Sequence, residues 1–69
     1  MKVVYDAETD TLTIVFREVP VQESDELREG IIVDYDKEGL ACAIEILDAS
    51  EAVGEPLNLS YELKARLPA

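Results

Sequence analysis

The stretch Asp34–Glu45, DYDKEGLACAIE, decides how this chain is to be read. It nearly spells the calcium loop of an EF-hand, with acids at loop positions 1, 3 and 12 (Asp34, Asp36 and Glu45) and Gly39 at position 6. Position 5 is Glu38, longer than the usual Asp or Asn, and position 9 is Cys42, a soft sulfur ill-suited to a hard cation. The flanks settle the reading. GIIV before the loop and ACAIEI after it are β-branched and alternating, which is strand chemistry, whereas an EF-hand requires helices on both sides. Glu45 then falls about six residues past the turn, roughly 20 Å along an extended strand, and cannot close on an ion at the tip. The stretch reads as a β-hairpin whose turn is DKEG.

Outward from that hairpin the pattern is mostly period two. Gly30 opens the strand IIVDY, and after the turn Leu40, Cys42, Ile44 and Ile46 share one face while Ala41, Ala43, Glu45 and Leu47 share the other. Upstream, Val3, Val4 and Tyr5 form a strand that DAETD (residues 6–10) turns back. In the next strand Leu12, Ile14 and Phe16 alternate with Thr11, Thr13 and Val15. Pro20 interrupts the pattern, and QESDELRE is acidic and weakly patterned, a loop or a ragged edge strand. VVYDAE and VDYDKE echo one another, as two turns built with the same chemistry.

The last third fits two templates. Asp48 and Ser50 are candidate N-caps for a short turn over ASEAV, ended by Gly54 and Pro56. Over LNLSYELKARL (57–67) the apolar residues alternate like a strand, yet Leu59, Leu63 and Leu67 also recur at i+4, and good helix formers with Pro68 as a stop favour helix. The fold class expected is α+β: one domain over 1–69, a small antiparallel β-meander of about four strands with a short C-terminal helical segment.

Composition bounds the function. Six basic residues face 16 acidic ones, a net charge of −10. That field repels nucleic-acid phosphates and anionic membranes and favours basic partners or cations. With no His and a single cysteine, His-based metal sites, His general-base catalysis and an internal disulfide are excluded, and a free thiol fits a cytoplasmic location. A chain of 69 residues buries only about 60% of the surface its unfolded form exposes, so oligomerisation is the expected compensation, a dimer first.

Each conspicuous residue has a plain structural account. Cys42 on the apolar face packs as a small hydrophobe. Tyr5 and Tyr35, each beside a turn aspartate, pack across strands. Glu45, alone in an apolar strand, solvates a half-exposed face unless that face is covered, in which case its pKa rises and acid–base chemistry opens. The sequence nominates no catalytic residue, no metal ligand and no cofactor site. It does nominate a surface: Thr11, Thr13, Val15, Ala41, Ala43, Glu45 and Leu47, small and lightly charged, suited to a partner or a second subunit.

Three motifs in order, YDAETDTLTIVF, GIIVDYDKEG and IEILDAS, resemble the small prokaryotic proteins catalogued as domain of unknown function 2283, over roughly residues 1–53. Ala43 stands where a glycine is common in that family and Thr13 where an aromatic is common. The resemblance implies no catalytic residues, because the family has no established activity. It also implies that some relatives are encoded beside small basic proteins, similar to toxin–antitoxin pairs. The function expected is therefore a non-catalytic, self-associating interaction module, antitoxin-like toward a small basic protein. The rival is a carboxylate-dependent enzyme or a weak binder of divalent cations through the turn acids Asp6, Glu8, Asp10, Asp34, Asp36 and Glu38.

Overall fold

The computed structural model describes residues 1–65. Five strands, β1 (Lys2–Asp6), β2 (Thr11–Val15), β3 (Glu23–Arg28), β4 (Ile31–Tyr35) and β5 (Ala41–Ile46), precede one short helix, α1 (Ala49–Ala52). The strands form a single antiparallel sheet in the order β1-β2-β5-β4-β3. The sheet has one strand more than expected, because ESDELR is a true edge strand, exposed along its whole length.

The expected meander is also corrected: β5 inserts between β2 and β4 instead of following β4 at an edge. Chain-order pairing would set β3 beside β2, in the middle of the sheet, and Glu23, Asp25 and Glu26 would lose water there. Buried unpaired carboxylates are costly, so the acidic strand goes to the edge and the aliphatic β5 takes the centre. Phe16 N and Arg17 N both donate to Cys42 O, at 2.8 and 3.3 Å, where the register between β4 and β5 shifts.

Register assigns the faces. On the first face the rows run Val3–Ile14–Ile44–Val33–Asp25 and Tyr5–Leu12–Ile46–Ile31–Arg28. On the second they run Lys2–Val15–Ala43–Asp34–Ser24 and Val4–Thr13–Glu45–Ile32–Glu26. Leu40, expected on the apolar face, sits exposed in the β4–β5 turn. Gly39 supplies the positive φ of 81° that this turn needs.

Little lies above the first face. Ala49 of α1 is fully buried, and beyond it Val53, Pro56 and Leu59 line a cavity with Val3, Leu12 and Ile14 at the β1–β2 side. Residues 57–65 carry no regular secondary structure, and Leu57, Leu59, Tyr61 and Leu63 are exposed. The helix favoured over 57–67 is therefore absent over 57–65, and 66–67 lie outside the described residues. Leu59 and Leu63 of the stripe both stay exposed, and an isolated helix of that length is marginal in water when its stripe is not buried. The helical part is α1 alone.

Candidate functional site

Two acidic turns and one carboxyl pair hold the residues that could do chemistry. In the β1–β2 turn, Asp6 Oδ1 accepts the Glu8 amide at 3.0 Å. The same contact recurs in the β4–β5 turn, where Asp36 Oδ1 accepts the Glu38 amide at 2.9 Å, so the sequence echo is one turn chemistry used twice.

Asp10, at φ 54°, ties the sheet to the helix. Its carboxylate accepts the Tyr5 hydroxyl at 2.7 Å, the Ser50 hydroxyl at 2.7 Å and the Ser50 amide at 3.1 Å, while its carbonyl accepts the Ala49 amide at 2.8 Å. The Ser50 hydrogen bond, then that from Tyr5, holds Asp10 below the usual carboxylate range, and the Tyr5 hydroxyl is raised in return. Of the two expected N-caps, Asp48 holds that position, its carbonyl accepting the Glu51 and Ala52 amides at 3.0 and 3.2 Å, but its side chain does not cap. Asp48 is left-handed at φ 48° with no side-chain cap bond, and Ser50 lies inside the helix. The first turn of α1 is satisfied instead by Asp10, forty residues away in sequence.

Asp36 holds the second turn. Its Oδ1 also accepts the Leu40 amide at 3.0 Å, and its Oδ2 pairs with Arg17 Nη1 at 2.9 Å. Arg17 Nη2 donates to Ala41 O at 3.1 Å, clamping the end of β2 to the hairpin. The Leu40 amide is the main cause of a lowered Asp36 pKa, with Arg17 assisting. Asp36 is almost wholly buried, and both its oxygens are engaged.

Asp34, expected among the turn acids, lies instead within β4 and is 5% exposed. Its Oδ1 accepts the Ser24 hydroxyl at 2.6 Å from β3. Glu45 is its diagonal neighbour on the second face, since Asp34 pairs with Ala43 and Glu45 with Ile32. A hydrogen bond to Asp34, with some desolvation, raises the Glu45 pKa. Chemically this is a pair of neighbouring carboxyl groups on the second sheet face, Asp34 buried and Glu45 half-buried. Among the described residues, no group of three or more Cys, Asp or Glu side chains is placed to hold a metal ion.

Of the surface nominated from sequence, Thr11, Thr13, Val15, Ala43 and Glu45 share the second face. Ala41 is exposed at the shifted end of β5, and Leu47 lies beyond it, its amide on Gly30 O at 2.9 Å. That face carries more charge than its Thr/Ala pattern suggested, because β4 adds Asp34 and the edges add Lys2 and Glu26. Sequence reasoning missed Ser24, Arg17 and the Asp34–Glu45 pairing. The one available signal was Asp34 itself, an acid inside a β-branched strand.

The fold and its carboxylates thus define a small antiparallel-sheet protein whose conspicuous acids mostly build turns and tie elements together. The profile described as Protein of unknown function (DUF2283) matches residues 2–50, and the chain belongs to that family. The matched span takes in the whole sheet and closes on Ser50, the residue Asp10 holds. No curated protein and no solved structure matches the chain. Among the described residues no helix is long and apolar enough to cross a membrane.

Proposed function

We propose that the protein is a non-catalytic interaction module that self-associates through its sheet and turns an acidic exterior toward a basic protein. One observation carries the reading. The chain exposes 5731 Å², whereas a compact monomer of its 7.7 kDa mass exposes about 4,300 Å². The exposed Leu57, Leu59, Tyr61 and Leu63 contribute to that excess, as does a sheet accompanied by one four-residue helix, and the excess is of the order that a standard interface removes, about 800 Å² per partner.

The chemistry supports the same reading by subtraction. Asp6, Asp10 and Asp36 serve backbone amides and neighbouring elements, so the turn acids do not converge on a substrate or an ion. In its rows the Asp34–Glu45 pair has the Ser24 and Thr13 hydroxyls beside it, the first donating to Asp34 at 2.6 Å, but no histidine, and the row's cation, Lys2, lies at the far edge strand. Sedimentation equilibrium at micromolar concentration tests self-association: a mass of two or more chains is expected, and a strict monomer sinks the reading.

The sharper, antitoxin-like form is supported by charge sign and by the family resemblance only. A pull-down from lysate should recover a small basic protein at low salt and lose it at high salt, because exposed charge pairs are screened. Recovery at neither salt removes the basic partner and leaves self-association standing.

A further inference from the structure

We propose that the surface joining two copies is the first face of the sheet, the aliphatic one, and not the Thr/Ala face that the sequence singled out. This rests on the self-association reading and specifies its geometry. The centre of the first face is a block of six aliphatic side chains on the three middle strands: Leu12, Ile14, Ile31, Val33, Ile44 and Ile46. Of the six only Val33 is buried, and the other five are half-buried.

An apolar sheet face must be buried against another element, and a domain normally supplies a second layer. Here that layer is a four-residue helix and the segment from Val53 to Leu59, which reaches Leu12 and Ile14 at the β1–β2 side. On the β4–β5 half of the block, among the described residues, Val33 is buried while Ile31, Ile44 and Ile46 stay partly exposed. A second sheet packed face to face at about 10 Å would complete the layer, as in a β-sandwich.

Electrostatics selects the occupant. The block carries no charged side chain; Asp25 and Arg28 lie at its β3 margin. Two chains of net charge −10 can therefore meet there without opposing carboxylates at the centre. Pairing through the second face would set Asp34 and Glu45 of one copy against another acidic sheet, at a cost in desolvation and repulsion. A basic protein would be drawn to the acidic edge and turns, where its charges find partners, and an uncharged aliphatic block offers it none. The occupant that fits the block is the same block on a second copy, related by a two-fold axis.

The test uses the intact chain. One sample mixes copies carrying ¹³C-labelled methyl groups with unlabelled copies, and filtered NOE spectra report only contacts between chains. Intermolecular contacts among Ile14, Ile31, Ile44 and Ile46 methyls are expected. Contacts arising instead from Thr13, Val15 and Ala43 overturn the face assignment while self-association survives. A monomer overturns both.

In parallel, Ile44→Lys should weaken the dimer by about 100-fold or more, because each copy would bury an unpaired charge. Thr13→Lys on the opposite face should leave the dimer constant within a few-fold. Equal weakening by both variants counts against the proposal. Should Ile44→Lys fail to fold by circular dichroism, the methyl contacts decide alone. Salt supplies an independent sign: like-charged copies joined by an apolar block should associate more tightly as salt rises. Weaker association at high salt overturns the apolar interface.

Discussion

Asp36 and Glu45 stand on the same hairpin and carry the same functional group, yet the fold treats them in opposite ways. Asp36, at the turn, meets two backbone amides and the Arg17 guanidinium, all donors that favour its charge. Glu45, in the middle of the sheet, meets Asp34 and partial burial, both of which favour its proton. Asp10 behaves as Asp36 does, with Ser50 and Tyr5 as its donors. An acid at a turn finds amides pointing outward for capture. An acid on a sheet face finds amides already engaged in the ladder, and only side chains remain. The comparison teaches that acidity in this chain is architectural at the ends of the sheet and adverse on its second face.

Replacing Asp36 by Ala should break that contrast most severely. It removes the acceptor for two amides and leaves Arg17 without its carboxylate, so the largest loss of thermal midpoint is expected here. A midpoint within error of wild type would mean the turn holds itself. Gly39→Ala probes the same turn through its backbone. A Cβ at φ 81° meets no neighbour within 4 Å, so the cost is conformational only, about 1 kcal/mol in denaturant titration. A loss several times larger would show that the turn is more tightly packed than the geometry indicates.

Asp10→Asn keeps one acceptor oxygen for Ser50 and loses the charge, so a smaller destabilisation is expected. It should be localised to α1 as faster amide exchange at Ser50 and Glu51. Uniform exchange across the sheet would contradict the role of Asp10 as a tie.

Glu45→Gln should act in the other direction and by the least. Because folding raises the Glu45 pKa, its favourable contribution is full below the unfolded value and is lost as pH rises through the folded value. At pH 7 the variant should therefore match or exceed wild type, and its stability should fall less than wild type's between about pH 4 and 7. Asp10 and Asp36, with lowered pKa values, carry the opposite dependence: their contribution is present above the unfolded value and disappears as pH falls through the folded one. A Glu45→Gln variant less stable than wild type at pH 7, with an unchanged pH profile, would refute the adverse pairing.

Strand identity was largely legible from the alternation of Leu12, Ile14, Ile31, Val33, Ile44 and Ile46, and the turns from their aspartates and glycines. The hairpin reading of DYDKEGLACAIE holds, and Cys42, 1% exposed and unpaired, packs as expected. QESDELRE was harder, because an edge strand exposed on both faces lacks the alternation that marks a half-buried one. Over 57–65 the stripe misled because a helix there needs its stripe docked on the sheet, and periodicity says nothing about whether it docks; Leu59 and Leu63 stay exposed.

By itself the sequence determined the local objects: strands from period two, turns from Asp and Gly, and a surface charge of one sign from 16 acids against six bases. Tertiary structure alone decided that β5 takes the centre, that Asp10 supplies the side-chain acceptor for the first turn of α1, and that Asp34 and Glu45 are neighbours on one face. The reason is range. Backbone preferences act over a few residues and leave a pattern in the chain, whereas strand order and partner choice follow from burial and desolvation summed over the whole sheet, and no short stretch of sequence records that sum.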